Sequence, residues 1–165
     1  MTLRYLLDTN VLSEPAKPRP DSAVVARLKS EQERIATAAP VWNELIYGVY
    51  RLPVSNRRLT LEAYLRGVLE PTIRVLPYDA QAAEWHALER ARLASVGKTP
   101  AYVDGSIAAV AHTNQLILVT RNMSDYQWFQ ELSIEDWTRT KDGYAPPPVA
   151  SKLRSRDRRH RVYSI

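Results

Sequence analysis

Short apolar runs recur along this chain, separated by longer stretches of helical periodicity, and that alternation most restricts what it can fold into. Leu3 to Leu7, Ile35 to Thr37, Ile73 to Leu76 and Leu116 to Thr120 have the length and composition of buried strands. Between them, Asp21-Ser22 is placed to cap a helix carrying Val24, Val25 and Leu28 on one face. Pro40 suits the first turn of a helix that continues through Leu45, Ile46 and Val49. Ser55 to Leu69 reads as an amphipathic helix with Leu59, Leu61, Leu65 and Leu69. Asp79 can cap a helix from Ala80 to Ser95 that Gly97 ends, and Tyr102 to Thr113 follows with Ile107, Val110 and Ala111 turned inward. Ser133 to Trp137 is too short to assign. The expected class is α/β, a mainly parallel sheet flanked by helices.

Carboxylates fall where these elements meet. Asp8 ends the first apolar run, Glu44 sits early in one helix, Asp104 opens another, and Asp125 follows the last strong strand. In open α/β sheets, sites form beyond the carboxyl ends of strands. Converging carboxylates repel one another and need a cation, and hard oxygen donors favour Mg²⁺ or Mn²⁺. The pattern therefore points to a metal-dependent phosphodiesterase.

Each acid also has a plainer role open to it. Asp8 can cap the turn after its strand, although Thr9 and Asn10 make three polar groups in a row after a core-bound run. Glu44 can complement a helix dipole. It lies beside Leu45 and Gly48 near the packing face, where a glycine permits close backbone approach. Asp104 can be an N-terminal helix acid, but Ile107 and Ala108 set it toward the apolar side, where a carboxylate needs a partner. Asp125 can be a turn residue of Asn122-Met123-Ser124-Asp125.

Composition narrows the alternatives. The chain has 165 residues and no cysteine, so one domain with a substantial core is expected and thiolate sites are excluded. No apolar run approaches the ~20 residues of a spanning helix, and the first residues lack a signal-peptide pattern. A cytoplasmic protein with no membrane association is the expectation. His86 and His112 fall in helical segments and His160 near the end, an arrangement that does not suggest a paired-histidine ribonuclease. No G-x-S-x-G or Walker sequence is present. A receiver-like domain would want adjacent acids after the first strand, and a haloacid-dehalogenase-like phosphatase would want an acid where Asn10 stands.

The net charge of +5 is uneven. Residues 1–138 carry 15 Lys and Arg against 16 Asp and Glu, whereas residues 139–165 carry 8 against 2. The division expected is a folded domain over 1–138 and a flexible, Pro-containing basic tail over 139–165. Such a tail can attract a phosphate backbone or simply be a disordered end.

At the acid-bearing segments the chain resembles a known family. Leu6-Leu7-Asp8-Thr9-Asn10-Val11-Leu12-Ser13-Glu14-Pro15 is similar to the opening of PIN-domain toxins of the VapC type, particularly the FitB-like branch. Glu44-Leu45 with Gly48, Asp104 with Ile107-Ala108-Ala109 and Ala111, and Val119-Thr120-Arg121-Asn122 with Asp125-Tyr126 resemble the later motifs. The resemblance spans about residues 3–137 in the family's order. It implies a PIN-like sandwich and a Mg²⁺- or Mn²⁺-dependent endoribonuclease, the toxin of a toxin–antitoxin pair, leaving 5′-phosphate and 3′-hydroxyl ends. Asp8, Glu44 and Asp104 would be the metal-site acids, with Asp125 a further catalytic acid. Thr9, Asn10, Thr120, Arg121 and Asn122 would steady those carboxylates or the scissile phosphate. Asn122 stands where some relatives carry an acid. The partners implied are RNA, a VapB-like or FitA-like antitoxin whose helix would enter a groove near Tyr47, Val49, Tyr50, Leu59 and Leu65, and a second copy of the chain. Those five side chains can equally be core. Arg121, Lys98 and the tail arginines are candidates for admitting RNA. The competing expectation is a PIN-like scaffold that binds RNA or a partner without cutting.

Overall fold

Tyr5, Leu6 and Leu7 form β1 (Tyr5–Leu7), and all three are fully buried, as a strand covered on both faces must be. In this computed structural model, which describes residues 2–138, β1 is the centre of a five-stranded, wholly parallel sheet. The chain continues through α1 (Thr9–Leu12), α2 (Ser22–Ser30), β2 (Ile35–Ala38) and α3 (Ala39–Tyr50). Then α4 (Asn56–Tyr64) runs through a π-helical turn, Leu65–Leu69, into α5 (Glu70–Thr72), before β3 (Arg74–Leu76). After these come α6 (Ala80–Ser95), α7 (Tyr102–Thr113), β4 (Ile117–Val119), α8 (Met123–Tyr126) and β5 (Ile134–Glu135). The basic stretch 139–165 lies outside the described residues. Among the described residues, no helix is long and apolar enough to cross a membrane.

The strand order β3-β2-β1-β4-β5 fixes where a site can form. From β1 the chain steps outward through β2 to β3, then returns past β1 to lay β4 on its other side. The connections leaving β1 and β4 thus depart in opposite directions, which opens a crevice at the carboxyl ends of these two strands. Asp8 follows β1 and Thr120 follows β4, and the Asp8 amide donates to the Val119 carbonyl at 3.0 Å.

Local chemistry explains most helix ends. Asp21 caps α2 by accepting from the Ala23 and Val24 amides, Asp79 caps α6 through the Ala82 amide, and Pro40 lies in the first turn of α3. Gly97 ends the α6 region with φ at +71°, a conformation costly for other residues.

Three local expectations are revised. The helix anticipated over Ser55 to Leu69 widens at Leu65–Leu69, where the Glu70 amide donates to the Leu65 carbonyl five residues back. Leu65 and Leu69 are buried, whereas Leu59, assigned the same face, is 58% exposed. Leu59 precedes Leu65 by six residues, about 600° around an ideal helix, so it falls off the buried side before the π turn begins. The groove side chains divide likewise: Val49 and Leu65 are core, and Tyr47 and Tyr50 are exposed. Gly48 is not a close-approach glycine, since a Cβ there would meet nothing within 4 Å.

The tight glycine is Gly105. A Cβ on it would lie 2.0 Å from His86 Nε2. His86 is buried with its Nδ1 3.0 Å from the Tyr78 hydroxyl. Burial, and then the charge of Arg90, depress its pKa and favour the neutral ring. The ring seats α6 against α7, whose residues Gly105 to Ala111 are all buried. Gly105→Ala should cost about 1–3 kcal/mol by overpacking, and adding His86→Ala should return part of that loss. Thermal denaturation of the single and double variants checks the coupling.

Candidate active site

The crevice is built on Asp8. Its carboxylate caps α1 by accepting from the Thr9 amide at 2.7 Å through Oδ1. Its Oδ2 accepts from the Thr120 hydroxyl at 2.7 Å and from Asn10 Nδ2 at 3.1 Å. Capping and a functional role are therefore compatible. A carboxylate offers about four lone-pair sites, so Oδ1 retains acceptor capacity. Thr120, fully buried, also accepts from the Asn122 amide at 3.1 Å, and the Arg121 amide donates to Asn10 Oδ1 at 3.1 Å. These bonds tie the loop after β1 to the loop after β4.

Glu44 comes from the helix that follows β2 directly. Its Oε2 accepts from the Thr9 hydroxyl at 2.6 Å, so one side chain next to Asp8 orients the second acid. Asp104 lies in the first turn of α7, and its carboxyl has no hydrogen-bond or ion-pair partner among the described residues. Asp125, exposed on α8, is close enough to raise the pKa of Asp104. The four acids foreseen in the sequence thus converge electrostatically at one sheet edge.

Their mutual repulsion is legible in the proton affinities. Burial, reinforced by Asp125, Asp8 and Glu44 in that order, pushes the Asp104 carboxyl up to about 6. Asp8 is also raised, chiefly by burial; the Thr120, Thr9 and Asn10 hydrogen bonds oppose this and Glu44 adds to it. The Tyr126 hydroxyl is raised far above its ordinary value, by burial first and then by all four acids.

Because Asp104 holds its proton more tightly folded than unfolded, folding takes up a proton between about pH 4 and pH 6. Stability from this group is present below that window and falls as pH rises through it. Allowing for its partial exposure, the loss is about 1 kcal/mol by pH 7. The expected result in EDTA is that Asp104→Asn equals the parent in Tm near pH 4 and exceeds it by about 2–4 °C at pH 7. Parallel melting curves across that range check this.

A divalent cation suits this donor set. All the donors are hard oxygens, and no ion pair among the described residues reaches any of the four acids. Among the described residues no three acids are drawn close enough to enclose an ion unaided.

Two residues have structural parts that sequence reasoning did not assign. Glu14 is 2% exposed; it accepts from Lys17 Nζ, from the Asp21 amide at 2.9 Å and from the Arg121 guanidinium at 3.0 Å. The Lys17 hydrogen bond is the main cause of its lowered pKa. Arg121, expected to admit RNA, is thus engaged by Glu14. Tyr126 is buried within electrostatic reach of all four acids. Glu14 was visible only as a charged residue between Ser13 and Pro15 in the first motif, and Tyr126 only as an aromatic beside Asp125.

Comparison with known proteins agrees with this fold. The PIN domain family model matches residues 5–125. The chain is 36% identical to the toxin FitB of Neisseria gonorrhoeae over 73% of this chain and 89% of that protein. It is 34% identical to the tRNA(fMet)-specific endonuclease VapC of Shigella flexneri over 82% of this chain and 99% of that one. Its fold superposes on the crystal structure of DNA-bound VapBC from Salmonella typhimurium with a TM-score of 0.71 and 30% identity, covering 82% of this chain and 98% of that one. A parallel sheet with acids at its switch point, matched along most of its length to these relatives, places the chain in the PIN-domain family, among proteins of the VapC and FitB type.

Proposed function

We propose that this protein is a divalent-metal-dependent endoribonuclease, the toxin of a type II toxin–antitoxin pair, that hydrolyses RNA phosphodiesters. The carrying observation is the convergence of Asp8, Glu44, Asp104 and Asp125 at the β1–β4 crevice, where like charge and burial raise Asp104 to about 6. The ribonuclease and toxin names of the relatives support the reading.

Asp8, Glu44 and Asp104 would hold Mg²⁺ or Mn²⁺, which when bound supplies charge neutralisation and a more acidic water. Asp8 is presented rigidly, because Thr9, Asn10 and Thr120 fix both of its oxygens. Glu44, held by Thr9 and otherwise open at Oε1, is positioned to take a proton from an attacking water. Asp125 adds negative charge next to Asp104 and is exposed to solvent. Asn122 offers a neutral oxygen donor on the same loop.

By the same reasoning, a VapB-like or FitA-like antitoxin is the proposed partner. A homodimer in the cytoplasm is the proposed working state. The deciding experiment incubates antitoxin-free protein with mixed structured RNA in Mg²⁺, in Mn²⁺ and in EDTA. Cleavage in either metal and none in EDTA is expected. Binding without cleavage in any condition would instead identify a non-catalytic scaffold.

A further inference from the structure

Beside the acids the surface opens into a concave space of about 410 Å³, bounded by Asp104 and Asp125 and also by Lys98, Pro100, Ser124 and Trp128. That volume is within the range of small-ligand pockets, roughly 300–1,000 Å³. The Lys98 ammonium lies 4.1 Å from the centre of the Trp128 ring, and the Trp128 side chain is 45% exposed. Both residues stand on fixed backbone. The Lys98 amide donates to the Leu93 carbonyl at 2.9 Å, just past the Gly97 turn. The Trp128 carbonyl accepts from Arg92 at 2.8 Å, and Arg92 is itself held by Glu89, which also accepts from the Gln130 amide. The next residue, Phe129, is buried and near Trp85, so the chain anchors itself there while leaving the indole accessible.

We propose that this space is a nucleotide subsite for single-stranded RNA, with Trp128 stacking on the base next to the scissile phosphate and Lys98 binding that nucleotide's phosphate. The proposal rests on the nuclease reading above and names how the substrate is held. A cluster of acids repels the RNA backbone, so a nearby cation must offset it. Arg121 is engaged by Glu14, whereas Lys98 forms no ion pair among the described residues. An exposed aromatic with an adjacent cation is the combination that binds single strands with little regard to sequence, because every base has a π-face. Here the pair borders the acids themselves, so a base stacked on it would set the register of the strand in the crevice.

The test measures, by fluorescence anisotropy in Ca²⁺, binding of a short labelled oligouridylate and of an abasic ribose-phosphate oligomer of equal length. Mg²⁺-dependent cleavage is followed in parallel. Wild-type protein should prefer the base-bearing oligomer by about tenfold. Trp128→Ala should erase that preference and leave abasic binding unchanged, and Trp128→Phe should keep most of it. Lys98→Gln should weaken both oligomers and reduce the log–log salt slope by about 0.7. Circular dichroism confirms that each variant folds. If Trp128→Ala keeps the wild-type preference while wild-type protein cleaves RNA, the subsite is wrong and the nuclease reading stands. If Lys98→Gln leaves the salt slope unchanged, the phosphate assignment is wrong. Wild-type protein that neither binds nor cleaves RNA would overturn both readings.

Discussion

Asp104→Asn should all but abolish RNA cleavage and at the same time make the metal-free protein more stable at neutral pH. Asparagine matches aspartate in shape, so α7 and its packing are preserved while one negative charge is removed from the crevice. Asp104 has no hydrogen-bond or ion-pair partner among the described residues, so the substitution breaks no internal contact. The remaining acids then repel less, and Asp104 no longer binds its proton with a pKa of about 6. Cleavage should fall by about 10³-fold, the order lost when one preorganised electrostatic group is removed from a reaction centre. Single-turnover rates in Mg²⁺ and melting curves in EDTA measure the two effects. A purely structural Asp104 would leave the rate at the parental value.

Glu14→Ala should be strongly destabilising although Glu14 lies outside the acid cluster. Glu14 is 2% exposed and gathers Lys17, the Asp21 amide and Arg121 around one carboxylate. Its loss would leave the Asp21 amide without its acceptor at the start of α2, and would detach the Arg121 side chain from the segment after α1. Lys17 and Arg121 are each about 40% exposed and can turn to water, so the cost is nearer the low end for a broken buried pair, about 3 kcal/mol. In a domain of this size that is a fall of about 6–12 °C in Tm. Cleavage should drop as well, because the Arg121 amide holds Asn10, which holds Asp8. Glu14→Gln keeps the volume and some hydrogen bonds and should cost less. A Glu14→Ala variant that melts with the parent would mean that the three contacts are individually replaceable by water.

Much of the candidate site was legible in the sequence. Asp8 stood out because a core-bound run stopped at three polar residues, and the structure shows each engaged in the Asp8 and Glu44 network. Glu44, Asp104 and Asp125 each had an ordinary explanation when taken singly. Glu44 and Asp125 each lie a few residues past a strand, so parallel connections bring them to one edge, whereas Asp104 follows α6 and is placed by the seating of α7. Glu14 was harder, since nothing in Ser13-Glu14-Pro15 says that a carboxylate there is buried. Its partners lie 3, 7 and 107 residues away, and only folding brings the last of them in. The Gly105–His86 fit was equally hidden, because a glycine in a helix and a histidine in another carry no mutual signal. Gly48, which looked like the packing glycine, faces open space.

What the sequence determined by itself is the set of local outcomes. Apolar runs of strand length, capping by Asp21 and Asp79, and the Gly97 turn depend on neighbours a few residues away, so composition and spacing suffice to specify them. Tertiary structure alone decided the order β3-β2-β1-β4-β5, and with it that Asp8 and Thr120 share a crevice. It also decided that Leu59 faces water, that Arg121 serves Glu14, and that Lys98 rests over Trp128 beside Asp104. Such contacts join residues tens of positions apart. Their energies depend on burial and on which charges are brought together, and neither exists until the sheet has formed and its helices have packed on it.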